Sequence, residues 1–473
     1  MVIAGPPPPP PTGQSVDAGD RDGLTVGGKL LLGALGIGTV AAVTATAVIV
    51  IGGRAPDAMD PSAFSVEPDV AWTLEPSDVD AAADSESRFA TPAYMKRTYG
   101  VPGSFVFGDT IVTTLYQFGD PTKDSTLVAL NGGDGSVRWT KPFAPGDSCA
   151  PESFDGRLIC VEHADRRSTI SSYDLETGDE MDSSTVDIYV GHMRVADGSL
   201  FVSGVESTSN PASVLMRGTP RDPGAEWTQT YDRRDCPVGG DYDALDVVDG
   251  AVSWFAPGLL ADAADGSEHA RGAWADSLGN GVFEVTRCEP PSFEQTRDFY
   301  RADGSTVGSW PASAVVTEAT PGNSDDRQIV LSNGTAIGAD ARRRWYQPAI
   351  TGRFDTLAVV GGVIVSADVN GHLFGITDDT GDILWRTATP VGEGGSAQHA
   401  DSVDEQRMLV YNETGDLTAI SVADGATDWS VSLPVPKDGL GVVTPGTDMV
   451  VAESATAISA VVPQVGDEPR SRP

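Results

Sequence analysis

A short pattern that recurs about every forty residues constrains the fold of this chain more than any other feature. Its clearest copy is LFGITDDTGDILW (residues 373–385), which predicts a β-strand, an acidic turn closed by Gly381 and a second strand. Further copies surround Gly135, Gly178, Gly266 and Gly425, and looser ones surround Gly224, Gly304 and Ala341. Successive anchors lie 37 to 46 residues apart. A period of this length, with strand signals on both sides, indicates a repeat architecture.

Each position of the pattern has a physical role. Glycine takes the positive φ that a tight hairpin needs, and Asp or Asn beside it bonds its own backbone. A small residue six positions earlier (Ala129, Gly375 or Ala419) is expected to let the strand pack near a crowded axis. A large ring four positions after the anchor would fill the wedge between neighbouring twisted sheets. The residues at this position are Trp139, Trp345, Trp385 and Trp429.

Another strand pair precedes most copies, as at residues 105–115 and 357–366, so each repeat is expected to hold four strands. The fold prediction is therefore all-β: a β-propeller of about eight four-stranded blades, with a range of seven to nine. VAWTL (70–74) resembles the last strand of a blade, but the earlier strands of that blade do not precede it. TAIS (456–459) matches an earlier strand of the repeat, but no last strand follows it. We expect residues 70–74 to complete the blade that contains 456–459 and so to close the ring, which removes exposed sheet edges.

The pattern of a small residue, an acidic turn, Gly and Trp resembles the pyrroloquinoline-quinone-type propeller repeat across residues 69–463. Quinoprotein dehydrogenases and the non-enzymatic BamB-like proteins of bacterial envelopes share this repeat. The resemblance implies eight blades, whereas a literal count that includes both partial repeats gives nine. It also implies fold better than function. The quinone enzymes use adjacent cysteines and calcium ligands, and neither feature transfers to this chain. We therefore assign no catalytic, cofactor or metal residue, and expect neither the quinone nor Ca²⁺.

The N-terminal region predicts a membrane anchor. Residues 1–28 form a Pro-rich tail, predicted to be disordered and cytoplasmic. Residues 29–53 are predicted to be a transmembrane helix, because 30–53 carry no charge and can span the hydrocarbon core. A linker (54–68) follows, and 464–473 form a disordered C-terminal tail. A cleaved signal peptide is the alternative interpretation. A small-residue ridge on the helix would permit homodimerisation; it consists of Ala34, Gly38, Ala42 and Thr46.

The chain has four cysteines, all after the hydrophobic segment: Cys149, Cys160, Cys236 and Cys288. An even number on one side of a membrane suggests two disulfides in an oxidising compartment. Of the three possible pairings we favour Cys149–Cys160 with Cys236–Cys288, and four free thiols are the alternative. The localisation prediction is a single-pass plasma-membrane protein, with a cytoplasmic N-terminus and an extracytoplasmic propeller.

The net charge of −37 excludes nucleic acid as a favoured partner. Composition and repeat type predict a bacterial source, actinobacterial in our interpretation. Acidic groups such as Asp378, Asp379 and Asp382 do not match a calcium loop. The five histidines show no ligand spacing, and Arg342 to Arg344 form the only dense basic run.

These observations predict a non-catalytic propeller that binds a protein or cell-envelope partner. The alternatives are an envelope oxidoreductase of the quinoprotein type and a ligand-sensing ectodomain that works with a partner subunit. Differences between repeats, in the Cys-bearing insertions of the second to fifth, are where we expect the function to lie.

Overall fold

Short antiparallel strands make up almost all of the regular structure in the computed structural model. The structure describes residues 64–93, 103–118, 125–144, 146–164, 167–206, 212–232, 244–255, 257–278, 281–289, 294–311, 316–317, 329–331, 334–338, 342–348, 355–367, 372–387, 400–402, 406–411, 415–433, 442–446 and 449–464. Within these ranges no helix is long and apolar enough to cross a membrane. The predicted transmembrane helix, 29–53, lies outside them. The described residues all fall in one of two compact units, Ala47–Pro473.

Nine sheets are formed by the described residues, and we number them as blades in chain order. The opening elements are the strand β1 (Asp69–Leu74) and the short helix α1 (Pro76–Val79). Blade 1 comprises β2 (Ser87–Ala90), β3 (Phe105–Phe107), β4 (Thr110–Gln117), β5 (Ser125–Asn131) and β6 (Val137–Phe143). Blade 2 comprises β7 (Ser148–Cys149), β8 (Arg157–Ala164), β9 (Arg167–Asp174) and β10 (Glu180–Val186). Blade 3 comprises β11 (Ile188–Ala196), β12 (Ser199–Glu206), β13 (Ser213–Gly218) and β14 (Trp227–Tyr231).

The next three blades follow the same order of strands. Blade 4 comprises β15 (Leu245–Val248), β16 (Ala251–Trp254), β17 (Leu259–Asp262) and β18 (Glu268–Arg271). Blade 5 comprises β19 (Trp274–Ser277), β20 (Val282–Glu289), β21 (Glu294–Arg301) and β22 (Thr306–Pro311). Blade 6 comprises β23 (Val316–Thr317), β24 (Ile329–Leu331), β25 (Thr335–Ile337) and β26 (Arg343–Tyr346).

The last three blades end with the one that closes the ring. Blade 7 comprises β27 (Asp355–Val360), β28 (Val363–Ala367), β29 (Leu373–Thr377) and β30 (Ile383–Arg386). Blade 8 comprises β31 (Ala400–Ser402), β32 (Arg407–Tyr411), β33 (Asp416–Ser421) and β34 (Thr427–Ser432). Blade 9 comprises β35 (Val442–Pro445), β36 (Val450–Ser454), β37 (Ala457–Val462) and the N-terminal strand β1.

Two-residue hairpins join the first and second strands of several blades. Asp-Gly pairs form these turns at residues 155–156, 197–198 and 249–250, and both residues of each pair have positive φ. Type I′ turns require this backbone conformation, and their twist matches that of the flanking strands. The hairpins therefore fix the register of each blade locally.

The hydrophobic core is divided among the interfaces between successive blades. Nine clusters of buried side chains each combine residues of two neighbouring blades. The cluster of blades 1 and 2 joins Trp139 to Tyr173, for example, and that of blades 7 and 8 joins Trp385 to Met408. One cluster joins blade 9 to blade 1 through Val451 and Ile111. Since every blade packs on the next and the last packs on the first, the sheets form a closed propeller.

Ring closure follows the sequence prediction. β1 pairs antiparallel with β37, so residues 70–74 complete the blade that 456–459 begin. Phe64 precedes this strand and is fully buried between blades 8 and 9. The folded unit thus includes the C-terminal end of the predicted linker, 54–68.

The first strand of each blade lies at the inside of the ring and the last strand at the rim. First strands of neighbouring blades contact one another, as β11 does β15 and β27 does β31. In last strands such as β10, β14 and β30, most side chains are exposed, or exposed side chains alternate with partly buried ones. Functional surfaces on the rim are therefore edge strands, whereas those inside are built by first strands.

Two expectations need correction. The preferred count of eight blades is one too few, because β1 and β35 to β37 form a complete ninth sheet without the Gly-anchored turn. The small residues of the repeat also have a different role from the one expected, which was to let the strand pack near the axis. Ala129 and Gly375 lie on third strands directly opposite Trp139 and Trp385 of the fourth strands. A Cβ on Gly375 would overlap the Trp385 ring, so the small residue makes room for the tryptophan.

Candidate functional site

The repeat tryptophans form one recurring joint between blades. The ring of Trp139 lies against Gly178 of the next blade, and a Cβ on that glycine would approach the ring to 2.8 Å. The same stacking joins Trp345 to Gly381 and Trp385 to Gly425. Trp227 and Gly266 repeat it, as do Trp72 and Gly135 across the closure. At these joints the tryptophan rings thus lie between neighbouring blades and stack on the anchor glycines.

Each of these tryptophans also donates a hydrogen bond to the blade that it contacts. The acceptor is always the carbonyl three residues before the anchor glycine, at 2.5 to 3.2 Å. The five acceptors are Gly132, Leu175, Ala263, Asp378 and Val422. Trp429 of blade 8 faces the closing blade, and its Nε1 donates instead to the carbonyl of Phe64 at 2.9 Å. Phe64 thus replaces the turn that blade 9 lacks.

The acidic residues of the turns bond to their own loops. Hydrogen bonds from the serine two positions later lower the pKa values of Asp134, Asp265 and Asp303. In the turn of blade 7, Thr380 donates to the carboxylate of Asp382 at 2.7 Å, and the Asp378 carbonyl accepts from Trp345. These contacts explain the acidic turns without a cation. In the part of the chain that the structure describes, no group of three acidic, His or Cys residues could hold a metal ion.

The joint between blades 2 and 3 and the joint between blades 4 and 5 depart from this pattern, and polar side chains of blades 2 to 5 define what we call the polar sector. It consists of Glu152, Asp182, Arg194, Arg221, Asp246, His269, Glu284 and Arg297. The predicted disulfide Cys149–Cys160 lies in the same sector and is present, joining β7 to β8. The second predicted pair lies partly outside the described residues, because these do not include Cys236.

The centre of the polar sector is a buried arginine on an inner strand. Arg194 of β11 donates to Glu152 Oε1 at 2.8 Å, to Asp246 Oδ1 at 2.6 Å and to the Leu245 carbonyl at 2.6 Å. Its three partners come from blades 2 and 4, so one side chain crosslinks three blades. Burial opposes the charge, but the carboxylates of Glu152 and then Asp246 outweigh it and raise the pKa of Arg194. The guanidinium is therefore permanently charged inside the protein.

An ionic joint replaces the tryptophan between blades 2 and 3. Asp182 of the rim strand β10 accepts hydrogen bonds from Arg157 of its own blade and from Arg221 of the next, at 2.9 and 2.7 Å. Beside it, Ser184 donates to the carbonyl of Pro220. Met181 is half exposed on the same strand. This part of the rim therefore presents charges and an apolar side chain where other blades present the repeat tryptophan.

Histidine takes the wedge position between blades 4 and 5. The His269 ring lies against Gly304 as the tryptophans lie against their glycines. Its Nε2 is 3.9 Å from an Asp262 carboxylate oxygen. The predicted turn at Gly304 is thus real, but its partner is a residue that the spacing rule for tryptophan could not identify.

Blade 5 carries buried acids on both faces. Glu284 lies 2.9 Å from Arg297 and also accepts from Thr286, whereas Asp298 pairs with Arg287 and accepts from Ser309. Burial raises the pKa of Glu284, against the opposing charge of Arg297. Each of these acids therefore has its own cation.

None of the described histidines forms a catalytic arrangement. His163 Nδ1 is 3.0 Å from Ser168 Oγ, and its ring stacks on Tyr189 with centroids 4.1 Å apart. Burial lowers the pKa of His163. Ser168 is fully buried and its hydroxyl donates to the Ile188 carbonyl, so it cannot meet a substrate. His372 Nδ1 lies 3.0 Å from the Thr387 carbonyl, and His399 is outside the described residues.

The remaining predicted features are dispersed. In blade 4, Asp246 bonds to Arg194 and Asp249 forms a hairpin turn. Arg343 is exposed and lies over the ring of Tyr346 at 5.1 Å.

Comparison with known proteins supports the propeller repeat. The family described as "Outer membrane protein assembly factor BamB" matches residues 302–470, about a third of the chain. No curated protein matches the sequence. Similar solved structures include BamB from Moraxella catarrhalis, with 10% identity and a TM-score of 0.46 over 84% of this chain and 99% of that one. The computationally designed Ika8 protein is similar at 9% identity and a TM-score of 0.45, covering 80% and 96%.

Proposed function

We propose that this chain is a non-catalytic, membrane-anchored, extracytoplasmic propeller that binds a protein partner of the cell envelope. One observation carries the proposal: the Gly and Trp residues of the recurring pattern join neighbouring blades, and the departures from the pattern form a charged sector. The match of residues 302–470 to an outer-membrane assembly factor family supports a role in protein binding. Rigid blades with variable connections suit such a role.

The rim of the polar sector is the surface that we assign to the partner. Met181 exposes half of its surface next to the Asp182–Arg221 ion pair, on the edge strand β10. Exposed apolar side chains within a charged surround are typical anchors of protein interfaces, and edge strands offer unpaired backbone groups. A partner would therefore make apolar contact at Met181 and polar contacts around it.

Crosslinking of the tagged full-length chain in cells of the source organism tests this assignment. We expect a reproducible protein partner that is lost in Met181→Asp. Leu384→Asp is the matched control, because Leu384 is also about half exposed on a rim strand, in blade 7. Equal capture by wild type and Met181→Asp would refute the assigned surface, and consistent absence of any specific partner would refute the binding role.

The proposed anchor is the segment 30–53, with the N-terminus in the cytoplasm and the propeller outside. Its hydrophobicity and the disulfide Cys149–Cys160 support this orientation, because disulfides persist in oxidising compartments. Protease added to intact spheroplasts should degrade the propeller and spare an N-terminal tag. Protection of both ends would contradict the orientation. Homodimerisation through the helix and an actinobacterial source remain predictions.

A further inference from the structure

The seam between blades 9 and 1 closes the ring. Trp72 of β1 stacks on Gly135 and its Nε1 donates to the Gly132 carbonyl at 2.7 Å. The amide of Phe89 in blade 1 donates to the Ala455 carbonyl of blade 9, also at 2.7 Å. Apolar side chains of both blades fill the space between them. Opening of the ring at β1 must break these contacts together.

A carboxyl group lies inside this seam. Glu453 of β36 is 1% exposed and reaches across to blade 1. The Ser104 hydroxyl donates to its Oε2, Thr113 Oγ1 donates to its Oε1 at 3.4 Å, and the backbone amide of Gly103 also contributes. All three partners are uncharged.

No described cation reaches Glu453. The titratable residues of the described elements packed at the seam are Arg88 on β2, Tyr116 on β4, Asp69 on β1 and Asp78 on α1. Arg88 donates to the carbonyls of Ser85 and Ser87. Burial raises the pKa of Tyr116, and the charge of Arg88 opposes this rise. Asp69 is exposed. Among the other buried acids, Glu284 and Asp298 each have an arginine, whereas Asp147 accepts from the backbone amides of Ala144 and His163. Glu453 therefore differs from Glu284 and Asp298 in having only uncharged described partners.

Burial of a carboxylate without a cation lowers the free energy of unfolding, because the charge loses its hydration. Burial of a neutral carboxylic acid is tolerated if its polar atoms are hydrogen-bonded. The Ser104 and Thr113 hydroxyls can accept as well as donate, so after rotation they can also pair with the O–H of the protonated acid. We propose that the seam is a pH-sensitive latch, closed while Glu453 holds its proton and loosened when the proton is lost.

The electrostatics agree with the geometry. Burial raises the pKa of Glu453 from 4.5 to about 7, against the hydrogen bonds of Ser104, Gly103 and Thr113. Because the folded-state pKa is above the unfolded one, the protonated seam is fully stabilising below about pH 4.5. This stabilisation is lost as pH rises through about 7. Between pH 5.5 and 8.5 the equilibrium constant for opening should rise roughly 30-fold from this group.

Hydrogen exchange on the full chain tests the latch. Protection of the two N–H groups that cross the seam, the Phe89 amide and the Trp72 indole, should fall roughly 30-fold between pH 5.5 and 8.5 after correction for the intrinsic rate at each pH. Glu453→Gln keeps the shape and cannot ionise, so its protection should change less than about threefold. Strand β12 of blade 3 is the internal reference. A flat wild-type profile, or an equal decline in Glu453→Gln, would overturn the proposal.

Ser104→Ala gives a second test that does not remove the acid. The serine hydrogen bond favours the charged form, so its loss should move the midpoint of the decline to higher pH. A purely structural role would lower protection at every pH and leave the midpoint in place, which would contradict the latch. Asp69→Asn, on the exposed part of the same blade, is the control and should leave the profile unchanged.

Discussion

The stack of Trp139 on Gly178 allows us to predict how much unfolding free energy is lost when one joint between blades is disturbed. Gly178 has φ +73°, and a Cβ there would lie 2.8 Å from the indole ring. Gly198, in the next blade, has φ +72° and nothing within 4 Å of its Cβ position. The two glycines therefore share a backbone conformation and differ in the presence of the ring.

Gly198→Ala should lower the free energy of unfolding by about 1–2 kcal/mol, the cost of a left-handed conformation for a residue with a Cβ. Gly178→Ala carries the same cost. It must also displace the Trp139 ring, which adds about 1–3 kcal/mol of overpacking. We thus expect Gly178→Ala to be the more damaging by about 1–3 kcal/mol. Urea unfolding followed by circular dichroism measures both, with unchanged slopes as the condition for comparison.

A double-mutant cycle isolates the ring. In the background of Trp139→Ala, the excess cost of Gly178→Ala should disappear, because the ring that it displaces is gone. Equal costs for Gly178→Ala and Gly198→Ala, or an excess that persists without Trp139, would refute the role that we give to the stack.

Three further predictions concern the polar sector and the cofactor. Arg194→Met leaves the partly buried carboxylates of Glu152 and Asp246 without their buried cation and should cost about 3 kcal/mol in thermal or urea unfolding. Removal of the exposed Arg167, which pairs with Asp187, should cost less than about 1 kcal/mol, and similar effects would contradict the buried role. Reduction of Cys149–Cys160, which closes a loop with a sequence separation of 11, should cost about 3 kcal/mol, measured as a fall in Tm with dithiothreitol and no fall in the double alanine variant. Pyrroloquinoline quinone with Ca²⁺ at saturating concentration should leave Tm and the visible spectrum unchanged, and a shift of either would favour the oxidoreductase alternative.

The repeat could be predicted because its signals are local. Gly381 and Trp385 lie within one hairpin, so the turn and the wedge follow from spacing and backbone chemistry alone. Ring closure by residues 70–74 could also be predicted, because both partial repeats can be recognised in the sequence. The literal count of repeats also gave nine blades, and the preference for eight came from the family resemblance alone.

Other features depend on contacts that sequence spacing does not encode. Glu453 resembles an ordinary acid at a strand end, and its partners lie 340 and 349 positions away. No sequence pattern marks Arg194 as a buried crosslink, because the two carboxylates that pair with it come from different blades. Phe64 fell in a Pro-rich stretch that predicted a linker, although the carbonyl it offers to Trp429 is part of the ring. Long-range pairing decided each of these cases.

The closing strand also sets the order in which the protein can be made. Thr73 bonds to Ser459 across 386 positions, so β1 is synthesised first and finds its partner strand last. At about 5–20 residues per second, translation of the intervening chain takes roughly 20–80 s. Throughout this time β1 has no sheet, and blade 9 cannot exist. A chain without residues 442–462 would therefore lack the ninth blade, so this segment decides whether the ring closes.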